Sequence, residues 1–187
     1  MRSTLLLFLL LAVSGSCLQA AEPWRLRFLV PQSESGTLAL DEEDPVKASR
    51  ATGKSGVLVF GNGFGVGITN VRTEGTVSGS SGYVSSDSID LSYTIGGRLS
   101  LTLAVGGVTA GESQIRISGT DYVTATAVGS TGMILVGLPF LGGELLAGAR
   151  GDSVEFKNYR TAGSPDPIDT VVTASTRQLM LGFGLVF

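Results

Sequence analysis

The chain has 187 residues, a net charge of −3 and no histidine. That charge balance argues against a nucleic-acid binder, which would present a basic face. The missing histidine removes Ser-His-Asp and Cys-His catalysis, the usual general base near neutral pH and the commonest metal ligand. Carboxylate-only or Ser-Lys chemistry is what remains to an enzyme. The expectation is a non-enzymatic protein with no cofactor.

The first twenty residues read as a processing segment. Arg2 supplies a short positive region, and Leu5 to Val13 are unbroken apolar residues. Ser14, Gly15 and Ser16 then lead to Leu18-Gln19-Ala20, a small-residue cleavage site before Ala21. The apolar run falls far short of the roughly 20 residues a spanning helix needs. Residues 1–20 are therefore expected to be a cleaved export signal and residues 21–187 one domain. A lipoprotein acylated on Cys17 is disfavoured, because Ser14 stands where such sites usually carry Leu. Cys17 is the only cysteine and leaves with the signal, so the exported chain has no disulfide. Loss of Arg2 leaves twelve Lys and Arg against sixteen Asp and Glu, a net −4.

Beyond the signal, glycine is abundant at 27 residues in the full chain. No segment has a convincing 3.6-residue period. Short alternating segments separated by turn residues give instead the weak signal of a membrane barrel. Eight can be placed. In the first, Trp24, Leu26, Phe28 and Val30 alternate with Arg25, Arg27 and Leu29. The second, Thr52 to Phe60, meets the third, Phe64 to Arg72, through Gly61-Asn62-Gly63, where Asn-Gly is a strong hairpin signal. The fourth, Ser86 to Ile95, sets Ile89, Leu91, Tyr93 and Ile95 against Asp90, Ser92 and Thr94. Gly96-Gly97-Arg98 turns into the fifth, with Leu99, Leu101, Leu103 and Val105 opposite Ser100, Thr102 and Ala104. The sixth, Val128 to Phe140, and the seventh, Glu144 to Phe156, flank Leu141-Gly142-Gly143. The eighth is the C-terminal run, with Leu179, Leu181, Phe183, Leu185 and Phe187 at every second position.

Connection lengths alternate. Three are tight, at 61–63, 96–98 and 141–143, and four are long and polar, at about 32–51, 73–85, 106–127 and 157–176. Short turns on one side and long loops on the other are the asymmetry of outer-membrane barrels, and both ends on the short-turn side require an even strand count. The expected fold is all-β, an antiparallel up-and-down transmembrane β-barrel of about eight strands, with short periplasmic turns and longer extracellular loops. Such a barrel would sit in the outer membrane of a Gram-negative-type bacterium.

The hairpin from Asp90 to Leu103 and the run from Gly143 to Arg150 resemble the repeating unit of the small OmpA/OmpW-like outer-membrane barrels. The C-terminal alternation ending on Phe187 is similar to the signature those barrels offer to their insertion machinery. The resemblance implies contact with that machinery, with outer-membrane lipid and with lipopolysaccharide. It departs from the pattern at Pro139, tolerable only where no ladder hydrogen bond is lost, and in a thin aromatic belt, with Gly151 at a girdle position. Outer-membrane lipases, deacylases, palmitoyl transferases and omptin-type proteases rely on a histidine, so none of their activities carries over.

An eight-stranded barrel has an interior just wide enough for side chains. The alternation turns Arg25, Arg27, Asp90, Glu144 and Arg150 inward, and buried charges must be paired. An internal network among these five is expected, the alternative being that some are solvated at the rims. Gly61-Asn62-Gly63-Phe64-Gly65 follows an apolar run as a dinucleotide fingerprint would, but Val66 replaces its last glycine and no helix follows. Asp41-Glu42-Glu43-Asp44 could hold Ca²⁺ or bridge through it to lipopolysaccharide phosphates, yet it lacks EF-hand spacing and reads as a solvated loop. Asp166 and Asp169, beside Pro165 and Pro167, read as turn residues. Tyr83 and Tyr122 are expected on exposed loops.

Three roles compete: a structural or surface-interaction protein meeting an extracellular partner through its loops, a narrow porin-like conduit for small solutes, and a soluble periplasmic calycin-type binder of an apolar ligand. The last needs an apolar interior and polar exterior, the inverse of this assignment. The detergent-refolded mature chain should migrate differently on a denaturing gel with and without boiling. Equal mobility, with the protein folded in plain buffer, would exclude the membrane barrel.

Overall fold

The computed structural model describes residues 23–41, 46–48, 50–77, 80–97, 99–117, 119–161, 164 and 166–187. The export signal read over residues 1–20, the acidic residues Glu42, Glu43 and Asp44, and Arg98 lie outside them. Eight long strands make the wall: β1 (Arg25–Leu40), β3 (Arg50–Val59), β4 (Phe64–Val77), β5 (Ser80–Ile95), β6 (Ser100–Ile117), β8 (Thr126–Phe140), β9 (Gly143–Lys157) and β11 (Val172–Val186). Three short strands, β2 (Val46–Lys47), β7 (Thr120–Thr124) and β10 (Arg160–Thr161), decorate one end.

Each long strand pairs antiparallel with its chain neighbours, and β1 pairs with β11 from Arg25↔Val186 to Leu40↔Val172. With β8 paired to both β6 and β9, the sheet returns on itself as a closed barrel. Trp24 and Phe187 finish the closing ladder with a reciprocal pair of backbone hydrogen bonds, each 3.0 Å.

Outward positions on the tight-turn half carry the large apolar side chains, among them Phe28, Ile68, Leu91, Leu103, Val136, Leu145, Leu181 and Phe183. This is a lipid-facing girdle. A soluble sheet does not expose so continuous an apolar surface. All five alternate residues of the C-terminal run, Leu179, Leu181, Phe183, Leu185 and Phe187, face outward in it. The aromatic contacts gather toward the tight-turn end: Trp24 lies 5.3 Å from Phe60, Phe64 5.0 Å from Tyr93, and Phe28 5.4 Å from Phe183. The girdle is uneven around the barrel. On β11 it runs from Leu179 to Phe187, but on β4 only from Phe64 to Ile68 before Asn70 takes over.

The long polar connections read from the sequence are largely strand. β4 continues to Val77 and β5 begins at Ser80, so 73–77 and 80–85 are paired strand of the wall. Likewise β6 runs to Ile117 and turns into β7, and β11 begins at Val172 rather than after 176. Polarity misled because these extensions are polar on their outer face while their inner face packs an apolar cluster. Two bulges lie where the girdle gives way to the extensions, one at Gln32 on β1 and one at Thr109 on β6 opposite Asp87 and Ser88. Each adds a residue and so switches which alternate side chains face inward.

The tight turns use different chemistry. At Asn62-Gly63 only Gly63 has positive φ (83°), while the Asn62 side chain accepts the Phe64 N–H at 3.1 Å. Leu141 and Gly142, at φ 46° and 81°, make the turn in which both central residues are left-handed. Gly96 has φ 95°, and a β-carbon there would run into the Leu99 carbonyl. Gly96→Val should therefore cost at least about 1–2 kcal/mol, read as a lower urea midpoint in lipid vesicles. Gly97→Val, whose β-carbon meets nothing within 4 Å, should leave the midpoint nearly unchanged.

Candidate functional site

The interior is filled by four layers stacked along the barrel axis. At the tight-turn end, Arg25 and Arg27 at the start of β1 converge on Glu144 at the start of β9. Arg27 donates Nε to Glu144 Oε1 at 2.6 Å and Nη2 to Oε2 at 3.1 Å, and Arg25 donates Nη1 to Oε2 at 2.9 Å. Arg25 also reaches the carbonyls of Gly96 and Gly97 at 2.9 and 3.2 Å. Thr102, Thr94 and Ser100 accept from Arg27 at 2.5, 3.2 and 3.1 Å, and Ser100 donates to Glu144 at 3.1 Å. Gly137 and Gly184 make room for the carboxylate, since a β-carbon on either would collide with it.

Above this lies a dry layer of Leu29, Val57, Val59, Ala104, Met133, Leu135, Leu146 and Met180. The third layer is again charged. Arg150 donates to Asp90 at 2.7 Å, to Asp152 at 2.8 Å and to Ser88 at 2.8 Å. Thr69 and Thr131 donate to Asp90, and Thr176 donates to Asp152 at 3.0 Å. The fourth layer, enclosed by the extensions, is apolar: Leu38, Val84, Val154, Phe156, Tyr159, Val172 and Ala174. Tyr159 is its polar anchor, donating to Ser113 Oγ at 2.6 Å, and burial pushes its hydroxyl above the ordinary phenol value.

All five charged residues expected inside are buried there. Their ion pairs form two separate groups rather than one network: Arg25, Arg27 and Glu144 carry a surplus positive charge, and Asp90 and Arg150 form a second group with Asp152. Asp152 tips that group to a surplus negative charge, so the two offset one another. The sequence reading missed Asp152, although its place two residues after Arg150 on the same strand puts it on the same face. It also missed the apolar layers, which share inward positions with the charges.

Outside, the extensions of β4, β5, β6 and β7 form a polar sheet. Arg72 lies 4.0 Å over the Tyr83 ring and pairs with Glu74 at 3.0 Å. Arg116 forks onto Asp121 at 2.7 and 2.8 Å, which holds the Asp121 carboxyl below its ordinary value. These side chains line an open groove of about 430 Å³. Tyr83 and Tyr122 are half-buried, Tyr83 under Arg72 and Tyr122 against the fourth layer. Asp41 accepts the Val171 N–H at 2.8 Å, and no group of three potential ligand side chains capable of holding a metal is present among the described residues.

No family model matches the chain, and no curated protein sequence matches it. Among solved structures, the Neisserial surface protein A resembles it with a TM-score of 0.59 at 13% identity, over 90% of this chain and 100% of that one. The attachment invasion locus protein Ail of Yersinia pestis follows with 0.55 at 12% identity, over 88% and 99%. The same Yersinia protein has been solved with sucrose octasulfate, a heparin analogue. The chain has the fold of the small eight-stranded outer-membrane barrels.

Glu144→Ala would leave Arg25 and Arg27 without their carboxylate in the interior, and should lower stability by about 3–5 kcal/mol. Glu155→Ala removes a half-exposed partner of Lys157, 2.8 Å away, and should change stability by no more than about 1 kcal/mol. Urea unfolding in lipid vesicles separates the two.

Proposed function

We propose that the protein is an integral outer-membrane barrel with a non-enzymatic role, in which the lipid-embedded half serves as an anchor and the polar outer sheet meets an extracellular partner. The observation that carries this is the change of pattern along the strands. Near the tight turns they face lipid; beyond the bulges they enclose their own apolar core and present paired polar groups outward. Such a sheet has its own packing to hold it in shape, which suits recognition.

Its outward charges are largely balanced within the sheet, Arg72 by Glu74, Arg116 by Asp121 and Lys157 by Glu155. Asn70 also donates to Asp87 across β4 and β5 at 2.8 Å. That balance suits a neutral, hydroxyl-rich or protein partner better than a polyanion.

A solute conduit is disfavoured by the charged layers packed across the lumen. A void among Val71, Thr73, Ser86, Asp152 and Thr176 measures about 10 Å³, room for about one water. A soluble binder is disfavoured by the exposed girdle. Insertion through the C-terminal alternation ending at Phe187, export by the N-terminal signal and contact with lipopolysaccharide belong to the same reading.

In planar bilayers the refolded protein should give no conductance steps above background; regular steps would restore the conduit. Cells carrying the full chain should adhere to coated surfaces better than cells whose β6–β7 hairpin, residues 113–124, is replaced by a tight turn. Detergent resistance of the envelope should be the same in both. Equal adherence would move the role from the sheet to the barrel wall.

A further inference from the structure

On the outer wall, ladder pairing sets three rows of side chains one above another across β8, β9 and β11. The lowest, still in the girdle, is Ile134, Ala149 and Leu179. The next is Gly132, Gly151 and Arg177, and the highest is Ser130, Ser153 and Ser175. A β-carbon on Gly132 would meet nothing within 4 Å, and one on Gly151 only the Thr176 carbonyl at 3.8 Å. The two missing side chains leave an open groove of about 780 Å³, its floor the glycines and its ends Ile134 and Arg177. Adjacent outward glycines weaken a strand pair, and a common reason for them is close approach by another molecule.

Arg177 is exposed and has no ion-pair partner among the described residues, unlike Arg72 and Arg116 on the same exterior. A cation on the lipid-facing wall is destabilising unless it lies at the interface, and a guanidinium there matches a phosphate in charge and geometry. Serine hydroxyls stand in the row above it and apolar side chains in the row below.

We propose that this groove binds one net-anionic phospholipid of the leaflet on the extension side. Its phosphate sits on Arg177 beside Ser153 and Ser175, and an acyl chain lies over Gly132 and Gly151 against Ile134, Ala149 and Leu179. A second barrel is the poorer occupant, because a two-fold contact on this face would bring Arg177 toward its own copy. The inference rests on the membrane-barrel reading and gives it a specific lipid.

The test uses the full mature chain, refolded and placed in phosphatidylcholine vesicles containing a minor fraction of phosphatidylglycerol. Lipids retained after gentle extraction are counted by native mass spectrometry. The protein should keep phosphatidylglycerol, and Arg177→Gln should retain about tenfold less, the loss of one charge-assisted contact. Gly151→Leu, which fills the groove and keeps the arginine, should lose it as well. Lys54→Gln, a change to an exposed cation on β3, should retain it.

Equal retention by all four proteins, or equal loss from Lys54→Gln, would show generic charge attraction and overturn the site. Phosphatidylcholine carries a phosphate too, but its choline neutralises it; retention as strong as that of phosphatidylglycerol would overturn the preference for a net-anionic lipid. A dimer abolished by Gly151→Leu would make a second copy the occupant. Boiled and unboiled gels of every variant report folding, so failure of the barrel itself is distinguished from failure of the lipid site.

Discussion

In hydrocarbon a backbone N–H or C=O has no water to bond, so a sheet that crosses a bilayer must leave no edge there. In this chain that constraint is met by the ladder between β1 and β11, which joins the two ends of the strand sequence and is completed by Trp24 and Phe187. Much else follows from closure at eight strands. The circumference is then too small for an aqueous pore. Inward side chains must touch one another across the lumen, and any charge among them must find its partner on another strand.

The interior meets that demand with two charged layers separated by a dry one. Four residues of β5 separate Thr94 in the lower layer from Asp90 in the upper, about 13 Å along the strand. At that distance, opposite unit surpluses attract by roughly 1 kcal/mol at an effective dielectric near 20. The contacts within each layer are therefore the stronger organisers. They also read the register: a one-residue slip of β9 against β11 would turn Glu144 to the lipid and an apolar neighbour to the two arginines. Glycines at 137 and 184 beside Glu144, and at 106 beside Asp90, provide the space these groups need.

The membrane half was legible in the sequence because its two faces differ sharply there. Alternation from Ile89 to Ile95 and from Leu99 to Val105 gave the strands, and the glycine turns gave their order. The inward placement of Arg25, Arg27, Asp90, Glu144 and Arg150 followed from the same alternation. The outer half was misread as loop because a strand with mixed polar and small residues, such as Ser80 to Ser86, carries little period-two contrast. Bulges at Gln32 and Thr109 shift the phase within one strand, so no single alternation spans β1 or β6. The division of the charges into two groups depends on strand stagger around the barrel, which local pattern does not contain.

The uneven girdle has a mechanical consequence. Along β11 the apolar stretch from Leu179 to Phe187 is about 26 Å of strand, whereas Phe64 to Ile68 on β4 is about 13 Å. With strands tilted by about 40°, these correspond to apolar heights of roughly 20 and 10 Å. A bilayer cannot match both at once without deforming. Such a wedge is accommodated by leaning the barrel or by thinning the lipid beside β3 and β4. The leaflet around the molecule is thus strained on one side and relaxed on the other, which gives the barrel a preferred orientation toward thin or defect-rich membrane and toward neighbours that share the deformation.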